Sequence, residues 1–461
     1  MTDLTALDIR ETSDRLARRD ITSAALIDAY LDRIARLDGE INAYVTVTAD
    51  LARRQAAEAD ARAASGDRLG PLDGVPLALK DNIDVAGVLT SNGLGPRQVP
   101  DPAEDATVTG RLRAAGAVIL GKVNMHEGAF GGVTDNPHHG LTHNPWKHGH
   151  TPGGSSGGTG AAVAAHLCVA GLGTDTMASV RLPAAYCGIV GLKPTYGLVS
   201  TRGVVPLSWR LDHVGPIART VADVGLLLNA MAGFDPECSE SVAAPEALDY
   251  AVDEPADLGG IRIGVIENFA AVETEPAVAA GFRRGLEILE GLGCEIQTLT
   301  LPGYDPTLAR RAGLLVIEAE AWVSYEDDIE RFPDAFTGPL KTMLEYGRDV
   351  SGARLIKAER DIAAVAHSVD WAFSQVDFIV SPTAPQVAFP FGGQSPVNQS
   401  EFMAPANFSG CPAISLPVDL TPEGLPIGFQ IMAPRHAEPR LLAAALAFEQ
   451  AAKFDAKPPI G

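Results

Sequence analysis

The stretch TPGGSSGGTG (residues 151–160) stands directly before the mainly apolar segment AAVAAHLCVAG (161–171). Five of its ten residues are glycine and two are adjacent serines. The segment that follows has no polar face, so it predicts a buried helix whose N-terminus points back at the loop. Such a loop is typical of a flexible linker, of a phosphate-binding loop, or of a loop that holds a serine hydroxyl in an unusual backbone geometry.

Phosphate binding is the least favoured of these interpretations. A Walker loop requires a lysine after its glycines, and here they run into Ala161 and Ala162. A dinucleotide fingerprint requires a preceding strand, and HNPWKHGHTP does not predict one. The loop also matches G-x-S-x-G around Ser155 or Ser156, but the strand is again missing. The histidines that follow it (His166, His213, His367, His436) stand in no recognisable catalytic context.

A histidine-rich stretch precedes the loop and raises the question of a metal site. Six of the ten histidines fall within 25 residues: His126, His138, His139, His143, His148 and His150. The HExxH motif is absent and the nearby acids lack ligand spacing, so a polar, loop-rich surface is favoured over a metal centre.

The composition argues against several classes of protein. The 461 residues include 46% hydrophobic and 20% charged residues, which is typical of a soluble globular protein. The net charge of −22 argues against binding to nucleic acid or to anionic membranes. Five scattered cysteines without a CxxC pair indicate reduced thiols in the cytosol. No signal peptide or membrane-spanning segment is predicted.

The pattern along the chain predicts an α/β fold around a mixed sheet. Residues 1–66 indicate helices, and residues 74–235 alternate short apolar strands with helices and glycine-rich loops. Residues 236–260 form an acidic connector, and further strands and helices follow. We expect one domain over residues 1–461, with the connector as a surface loop.

Several segments, taken together, resemble the amidase signature family. They occur in the family's order: GVPLALKD (74–81), TPGGSSGGTGAAVAA (151–165), GTDTMASVRLPA (173–184) and GLKPTYGLVS (191–200). Further segments, such as PANFSGCPAISLPV, extend the resemblance over nearly the whole chain. It implies a central mixed β-sheet with helices on both faces, and hydrolysis of an amide.

The resemblance also implies a Ser–Ser–Lys catalytic unit. By motif, Ser179 is the nucleophile, Ser155 the bridging serine and Lys80 the terminal base, and a cis peptide bond links Gly154 to Ser155. Serine needs a neighbouring base to attack, and a lysine amine can serve if burial lowers its pKa. Ser155 would pass the proton of Ser179 towards Lys80 and later return one to the leaving amine.

The turn before the nucleophile completes the predicted site. Backbone N–H groups of Thr176, Met177, Ala178 and Ser179 are expected to form the oxyanion hole. Three further residues are expected to support the turn and the loop: Asp175 and Arg181 as an ion pair, and Ser156 through hydrogen bonds. The family usually has two glycines where this chain has Met177 and Ala178, which predicts a reshaped acyl pocket.

Two interpretations of the activity remain. NPWKHGHTPGGSSGG and KPTYGLVSTRGVVP are similar to the family branch of glutamine amidotransferase subunits that charge tRNA indirectly. Those subunits bind glutamine through an Arg in the second half and an Asp before the PAN segment. Here NQSEFMAPAN offers only Glu401, and GPLKTMLEYG has no arginine.

We therefore expect a stand-alone amidase that hydrolyses a carboxylic amide, or a carbamate or hydrazide, through an acyl-Ser179 intermediate. We expect a small-molecule amide substrate, a cytoplasmic homodimer, and no cofactor, metal, nucleic-acid or membrane partner. The alternative is a glutamine-hydrolysing subunit of a tRNA-dependent amidotransferase, active only with partner subunits.

Overall fold

The computed structural model describes residues 3–97, 99–245 and 249–460. Residues 246–248 of the predicted acidic connector lie outside these ranges. The helices are α1 (Ile9–Arg18), α2 (Ser23–Ile41), α3 (Ala49–Ser65), α4 (Thr107–Ala114), α5 (Gly157–Ala164), α6 (Arg181–Cys187), α7 (Val221–Met231), α8 (Pro276–Gly291), α9 (Pro306–Arg331), α10 (Gly338–Arg348), α11 (Gly352–Phe373), α12 (Ala404–Phe408) and α13 (Glu438–Ala452).

The strands confirm the predicted α/β class. They are β1 (Tyr44–Val47), β2 (Pro76–Lys80), β3 (Val118–Val123), β4 (Asp135–Asn136), β5 (Gly140–Leu141), β6 (Ala170–Asp175), β7 (Val190–Lys193), β8 (His213–Ala218), β9 (Arg262–Ile266), β10 (Glu295–Leu299), β11 (Phe378–Pro382), β12 (Ala413–Leu420) and β13 (Pro426–Met432).

One mixed sheet of eleven strands organises the chain, in the order β1-β3-β2-β6-β8-β7-β12-β13-β11-β9-β10. Strand β2 runs parallel to both β3 and β6, whereas β6 and β8 are antiparallel. Strands from residues 44 to 432 share this sheet, so residues far apart in sequence meet at its centre.

Helices cover both faces of the sheet, as the family resemblance implies. Successive residues of a strand face opposite sides, and β13 shows this clearly. A Cβ on Gly428 would lie 2.5 Å from Cβ of Ala185 in α6. The next residue, Phe429, packs on Gly285 of α8 and stacks on Phe448 of α13, with ring centroids 4.7 Å apart.

The helix after the glycine–serine loop is shorter than predicted. Helix α5 begins at Gly157, within the loop, and ends at Ala164. His166 then adopts a left-handed backbone with φ of 57°, and the chain enters β6 at Ala170. The apolar run 161–171 is therefore buried partly as helix and partly as strand, which its periodicity could not separate.

The predicted helical segment 1–66 also contains a strand. Residues Tyr44–Val47 form β1, which pairs antiparallel with β3 at the edge of the sheet. The run of β-branched residues in YVTV suits a strand. None of the helices formed by the described residues is long and apolar enough to cross a membrane.

Candidate active site

Lys80 is the last residue of β2 and is completely buried. Its Nζ donates hydrogen bonds to Ser155 Oγ (2.6 Å) and to Thr174 Oγ1 (2.7 Å). Asn82 Nδ2 donates to the same Thr174 hydroxyl at 3.1 Å. Because β2 lies beside β6 in the sheet, the ends of these two strands bring Lys80 next to Thr174. A buried amine is thus held against a serine hydroxyl, as a proton relay requires.

Burial lowers the pKa of Lys80 to about 7, although the nearby Asp212 and Asp175 carboxylates act in the opposite direction. Burial likewise raises the pKa of Asp212 above its ordinary value, while the hydroxyl of Thr176 and the N–H groups of Leu207 and Ser208 donate to its carboxylate. A substantial fraction of the Lys80 amine is therefore neutral near pH 7, the form that can accept a proton.

The glycine–serine loop is packed tightly against its neighbours. The Gly154–Ser155 peptide bond is cis, as the family resemblance implies. A Cβ on Gly154 would lie 2.7 Å from the backbone nitrogen of Val133, so only glycine fits at this approach. Ser156 Oγ lies 3.2 Å from both N and O of Thr174, and it joins the loop to β6.

The turn that follows β6 carries Ser179 and a row of free donors. Among the described residues, no acceptor takes the backbone N–H groups of residues 176–179, and none pairs with the Ser179 hydroxyl. Asp175 Oδ2 accepts instead from the next N–H group, that of Val180, at 3.2 Å. Unpaired donors beside a nucleophile can bind an oxyanion.

A buried ion pair holds this turn in place. Arg181 donates to both carboxylate oxygens of Asp175, with Nε–Oδ2 and Nη2–Oδ1 distances of 3.0 Å. Both side chains are fully buried. Arg181 also donates to the side chains of Asn407 and Gln430 and to the carbonyl of Met403. Burial alone would raise the pKa of Asp175, but the Arg181 charge and hydrogen bonds hold it well below its ordinary range.

A cavity of about 410 Å³ opens beside Ser179. Its walls are mainly apolar side chains and glycines, with the side chains of Phe130, Leu314 and Met343 among them. Arg310 is the only charged residue among the described residues that line it. The cavity gives the predicted acyl group on Ser179 a space to occupy.

Met177 lines this cavity and lies opposite a glycine on the facing helix. A Cβ on Gly313 of α9 would lie 2.9 Å from Met177 Sδ and 2.5 Å from Cζ of Phe408. The glycine therefore leaves the space that the methionine fills. Ala178 packs on the other side, in a cluster with Leu182.

The histidine-rich stretch is divided among separate contacts. His138 Nε2 lies 3.2 Å from Glu127 Oε1, His139 Nε2 lies 3.1 Å from Ser91 Oγ, and His143 stacks on His148. Within residues 3–97, 99–245 and 249–460, no three His, Cys, Asp or Glu side chains are grouped so that they could hold a metal ion.

The structure joins Lys80 to Ser155 and Asp175 to Arg181, and it places Ser179 at the cavity that Gly154 also lines, without a hydrogen bond between Ser179 and Ser155. The catalytic roles of these residues remain predictions.

Sequence reasoning missed the residues that bond to them, directly or through Thr174, or line the cavity with Ser179. These are Asn82, Thr174, Asp212, Arg310, Asn407 and Gln430. Thr174 and Asn82 flank residues already named, so adjacency could have indicated them. Arg310 gave no signal, because a single arginine in a long amphipathic helix usually faces solvent.

Comparison with known proteins shows the family. The Amidase family model matches residues 25–442. The A subunit of the glutamyl-tRNA(Gln) amidotransferase of Moorella thermoacetica is 40% identical, over 98% of both chains. Its counterpart in Thermosynechococcus vestitus is 37% identical, over 98% of this chain and 99% of that one. The structure of a peptide amidase from Stenotrophomonas maltophilia superposes with a TM-score of 0.88 and 31% identity, covering 98% of both chains.

The expectation of a stand-alone amidase is wrong, because full-length relatives at 37–40% identity are named as amidotransferase subunits. That expectation rested in part on the absence of an arginine from GPLKTMLEYG. A pocket residue can be supplied by another element, and here Arg310 of α9 lines the cavity.

The expectation of a homodimer with a small-molecule substrate and no nucleic-acid partner is wrong for the same reason, since those names place the relatives in an enzyme that acts on tRNA. The net charge describes this chain's surface and not that of an assembly. What holds is the coarser statement that this is an enzyme of a C–N hydrolase family. The chain belongs to the amidase signature family.

Proposed function

We propose that this chain is the glutamine-hydrolysing subunit of an amidotransferase that acts on glutamyl-tRNA(Gln), working with partner subunits. The observation that carries the proposal is the 37–40% identity to the A subunit of that enzyme along essentially the whole chain. Reaction of glutamine's side-chain amide at this site would release the ammonia that the assembly transfers.

The proposed chemistry begins at Ser179. Its oxygen attacks the amide carbon of glutamine while its proton moves to Ser155, whose own proton moves to the neutral amine of Lys80. The C–N bond then breaks, and Ser155 returns a proton to the departing nitrogen so that ammonia leaves. Water, activated through the same relay, releases glutamate from the acyl-Ser179 ester.

The short contact between Lys80 Nζ and Ser155 Oγ, 2.6 Å, supports this assignment. So does the pKa of Lys80, which burial lowers to about 7. The unpaired N–H groups of residues 176–179 would stabilise the negative oxygen of the tetrahedral intermediate. Removal of one such donor typically costs about 100- to 1,000-fold in rate.

The acidic surface fits a chain that leaves tRNA binding to its partners. A chain of net charge −22 has little attraction for a polyanion, so other subunits would supply the cations that neutralise phosphates. We further propose that residues 1–461 act as one domain, because one sheet takes strands from residue 44 to residue 432. Five free cysteines suit the proposed cytosolic location.

Reconstitution tests the proposal. The chain is co-purified with the candidate partner subunits of its own organism and supplied with glutamine and glutamyl-tRNA(Gln). We expect glutaminyl-tRNA(Gln) and glutamate in equal amounts, and neither product from the Ser179→Ala assembly. An assembly that forms glutaminyl-tRNA(Gln) from added ammonia but not from glutamine would refute the assigned role of this chain.

A further inference from the structure

Asp212 is a buried carboxylate that takes no part in the proposed relay. It stands directly before β8, whose first residue, His213, pairs with Asp175 at the end of β6. This register places Asp212 beside Thr176, the first residue of the turn that carries Ser179. Asp212 is only 8% exposed. Because a buried charge is costly unless partners compensate it, the contacts of Asp212 indicate its role.

Both oxygens of Asp212 hold the chain around them. Oδ1 accepts a hydrogen bond from Thr176 Oγ1 at 2.5 Å. Oδ2 accepts from the backbone N–H groups of Leu207 at 2.8 Å and Ser208 at 3.0 Å. Hydrogen bonds to an ionised acceptor are roughly twice as strong as neutral ones. Asp212 therefore ties the turn to segment 207–212, and Leu207 of that segment lines the cavity beside Ser179.

The bond to Thr176 lies at one end of the row of free donors. Among the described residues, no acceptor takes the backbone N–H groups of residues 176–179. At the other end of the row, Asp175 Oδ2 accepts from the N–H group of Val180 at 3.2 Å. The free donors thus lie between two points at which a buried carboxylate holds the turn. Donors for an oxyanion are effective only when their positions are fixed before the reaction.

Glu320 of α9 holds segment 207–212 from its other side. Ser208 Oγ donates to Glu320 Oε2 at 2.6 Å, and Arg210 Nε lies 3.0 Å from Glu320 Oε1. Among the hydrogen bonds of the described residues, none joins Glu320 to residues 176–179. Glu320 therefore supports the same segment as Asp212 without holding the turn.

The charge of Asp212 also influences Lys80. Burial lowers the pKa of Lys80, and the carboxylates of Asp212 and, to a smaller extent, Asp175 oppose that effect. The other titratable group near Lys80 is His126, whose own pKa is lowered by burial, so this ring is neutral near pH 7. Loss of the charge on Asp212 would therefore favour the neutral amine of Lys80 at lower pH.

We propose that Asp212 is a positioning residue that fixes the row of oxyanion donors through the hydroxyl of Thr176 and places a negative charge near the base Lys80. The inference rests on the proposed function in that Ser179 and Lys80 carry out the hydrolysis. It does not depend on which amide is cleaved, so it can be tested apart from that function.

Thr176 tests the bond to the turn. Thr176→Val keeps the shape of the side chain and removes the hydroxyl. We expect it to lower kcat for glutamine in the reconstituted assembly roughly 10- to 100-fold with little change in KM, because misplaced donors weaken binding of the transition state more than that of the substrate. Thr176→Ser keeps the hydroxyl and should restore most of the lost kcat, which a role in packing alone would not predict.

Asp212→Asn tests the charge. The wild-type kcat/KM should level off at a pH of about 7, as Lys80 loses its proton. In the variant, this rise should move to lower pH, so that at pH 6 the variant keeps a roughly fivefold larger fraction of its maximal kcat/KM than the wild type does. Glu320→Gln is the matched control, because it weakens the support of segment 207–212 and should leave the rise at a pH of about 7.

A second readout separates this inference from the proposed function. The rate at which a fluorophosphonate labels Ser179 depends on the base and on the oxyanion donors, and it requires neither glutamine nor a partner subunit. The same shift with pH and the same order of Thr176 variants should appear in that rate. If they do so in an assembly that never hydrolyses glutamine, the inference is supported and the proposed function is refuted.

Circular dichroism checks the fold of each variant. If Asp212→Asn does not fold, the comparison of Thr176→Val with Thr176→Ser decides. A wild-type kcat in folded Thr176→Val, or a pH profile in folded Asp212→Asn that matches the wild type, would overturn the inference. A wild-type chain that neither hydrolyses glutamine nor reacts with the fluorophosphonate would refute both the inference and the proposed function.

Discussion

The two ends of the site differ in polarity. At the relay end, Lys80, Ser155 and Thr174 are buried, polar and bonded to one another. At the cavity end, Met177 and Met343 present flexible apolar surface around one arginine. A buried polar network tolerates few changes, because each lost partner leaves an unsatisfied group. An apolar wall can be reshaped at little cost.

This difference suggests that the polar end sets the type of reaction, whereas the apolar end can vary and set the choice of substrate. In the proposed function, the relay cleaves a C–N bond and the cavity selects the molecule that presents that bond. A peptide amidase and a component of an amidotransferase, two relatives with very different names, can share one fold for this reason. Variants at the relay end should therefore remove activity, whereas variants at the cavity end should redirect it.

The largest effect is expected at the nucleophile. Ser179→Ala should lower kcat about 10,000-fold or more, since the members of such a unit act together. Steady-state kinetics with glutamine measures the loss, and circular dichroism checks the fold. Ser374→Ala, at an exposed serine after α11, is the control. Activity in Ser179→Ala within tenfold of the wild type would assign the nucleophile elsewhere.

Lys80→Met should separate activity from stability. We expect kcat/KM to fall about 1,000-fold, because the general base is lost. The melting temperature should change little, because the lost hydrogen bonds to Ser155 and Thr174 are offset by removal of an amine that burial penalises. In the wild type, the pKa of about 7 predicts that kcat/KM rises with pH up to about 7 and then levels, as Lys80 loses its proton. A profile that is flat down to pH 5 would argue against a lysine base.

The ion pair behind the turn should be essential for stability. Asp175→Asn leaves Arg181 buried without its countercharge, which should cost about 3–5 kcal/mol in the free energy of unfolding. Urea denaturation measures the change. The matched control is Asp349→Asn, whose partner Arg348 lies at the surface, and we expect little effect there. Equal changes in the two variants would show that burial of the pair does not matter.

The smallest effect is expected at the cavity wall. Met177→Gly should leave the relay in place and enlarge the cavity against Gly313 of α9. We expect a shift of roughly tenfold in relative kcat/KM from small amides towards bulky ones. A panel of amides that differ only in acyl size measures the shift. The double variant Met177→Gly with Gly313→Ala refills part of the space and should reverse it, whereas an unchanged ranking would leave Met177 without influence on specificity.

The sequence was sufficient to predict the fold and the family because short, ordered motifs indicate both, and the same motifs are the basis of the predicted relay. Lys80, Ser155 and Ser179 each stand in such a motif, and the mixed sheet follows from the alternation of strands and helices. Arg310 and Gln399 could not be found in this way. They reach the cavity from α9 and from a loop, and only packing brings these segments to Ser179. The expected partners were wrong because charge reports on one chain and not on an assembly.

The hydrogen bonds of Arg181 also determine when, during synthesis, the turn that carries Ser179 can be held in place. The groups that bind it besides Asp175, on Met403, Asn407 and Gln430, are made 222 to 249 residues after it. A growing chain on the ribosome folds from its N-terminal side, so Ser179 emerges long before its turn can be secured. We therefore expect hydrolysis only once nearly the whole chain has left the ribosome, and a fragment that ends before β12 would carry the predicted catalytic residues without an assembled site.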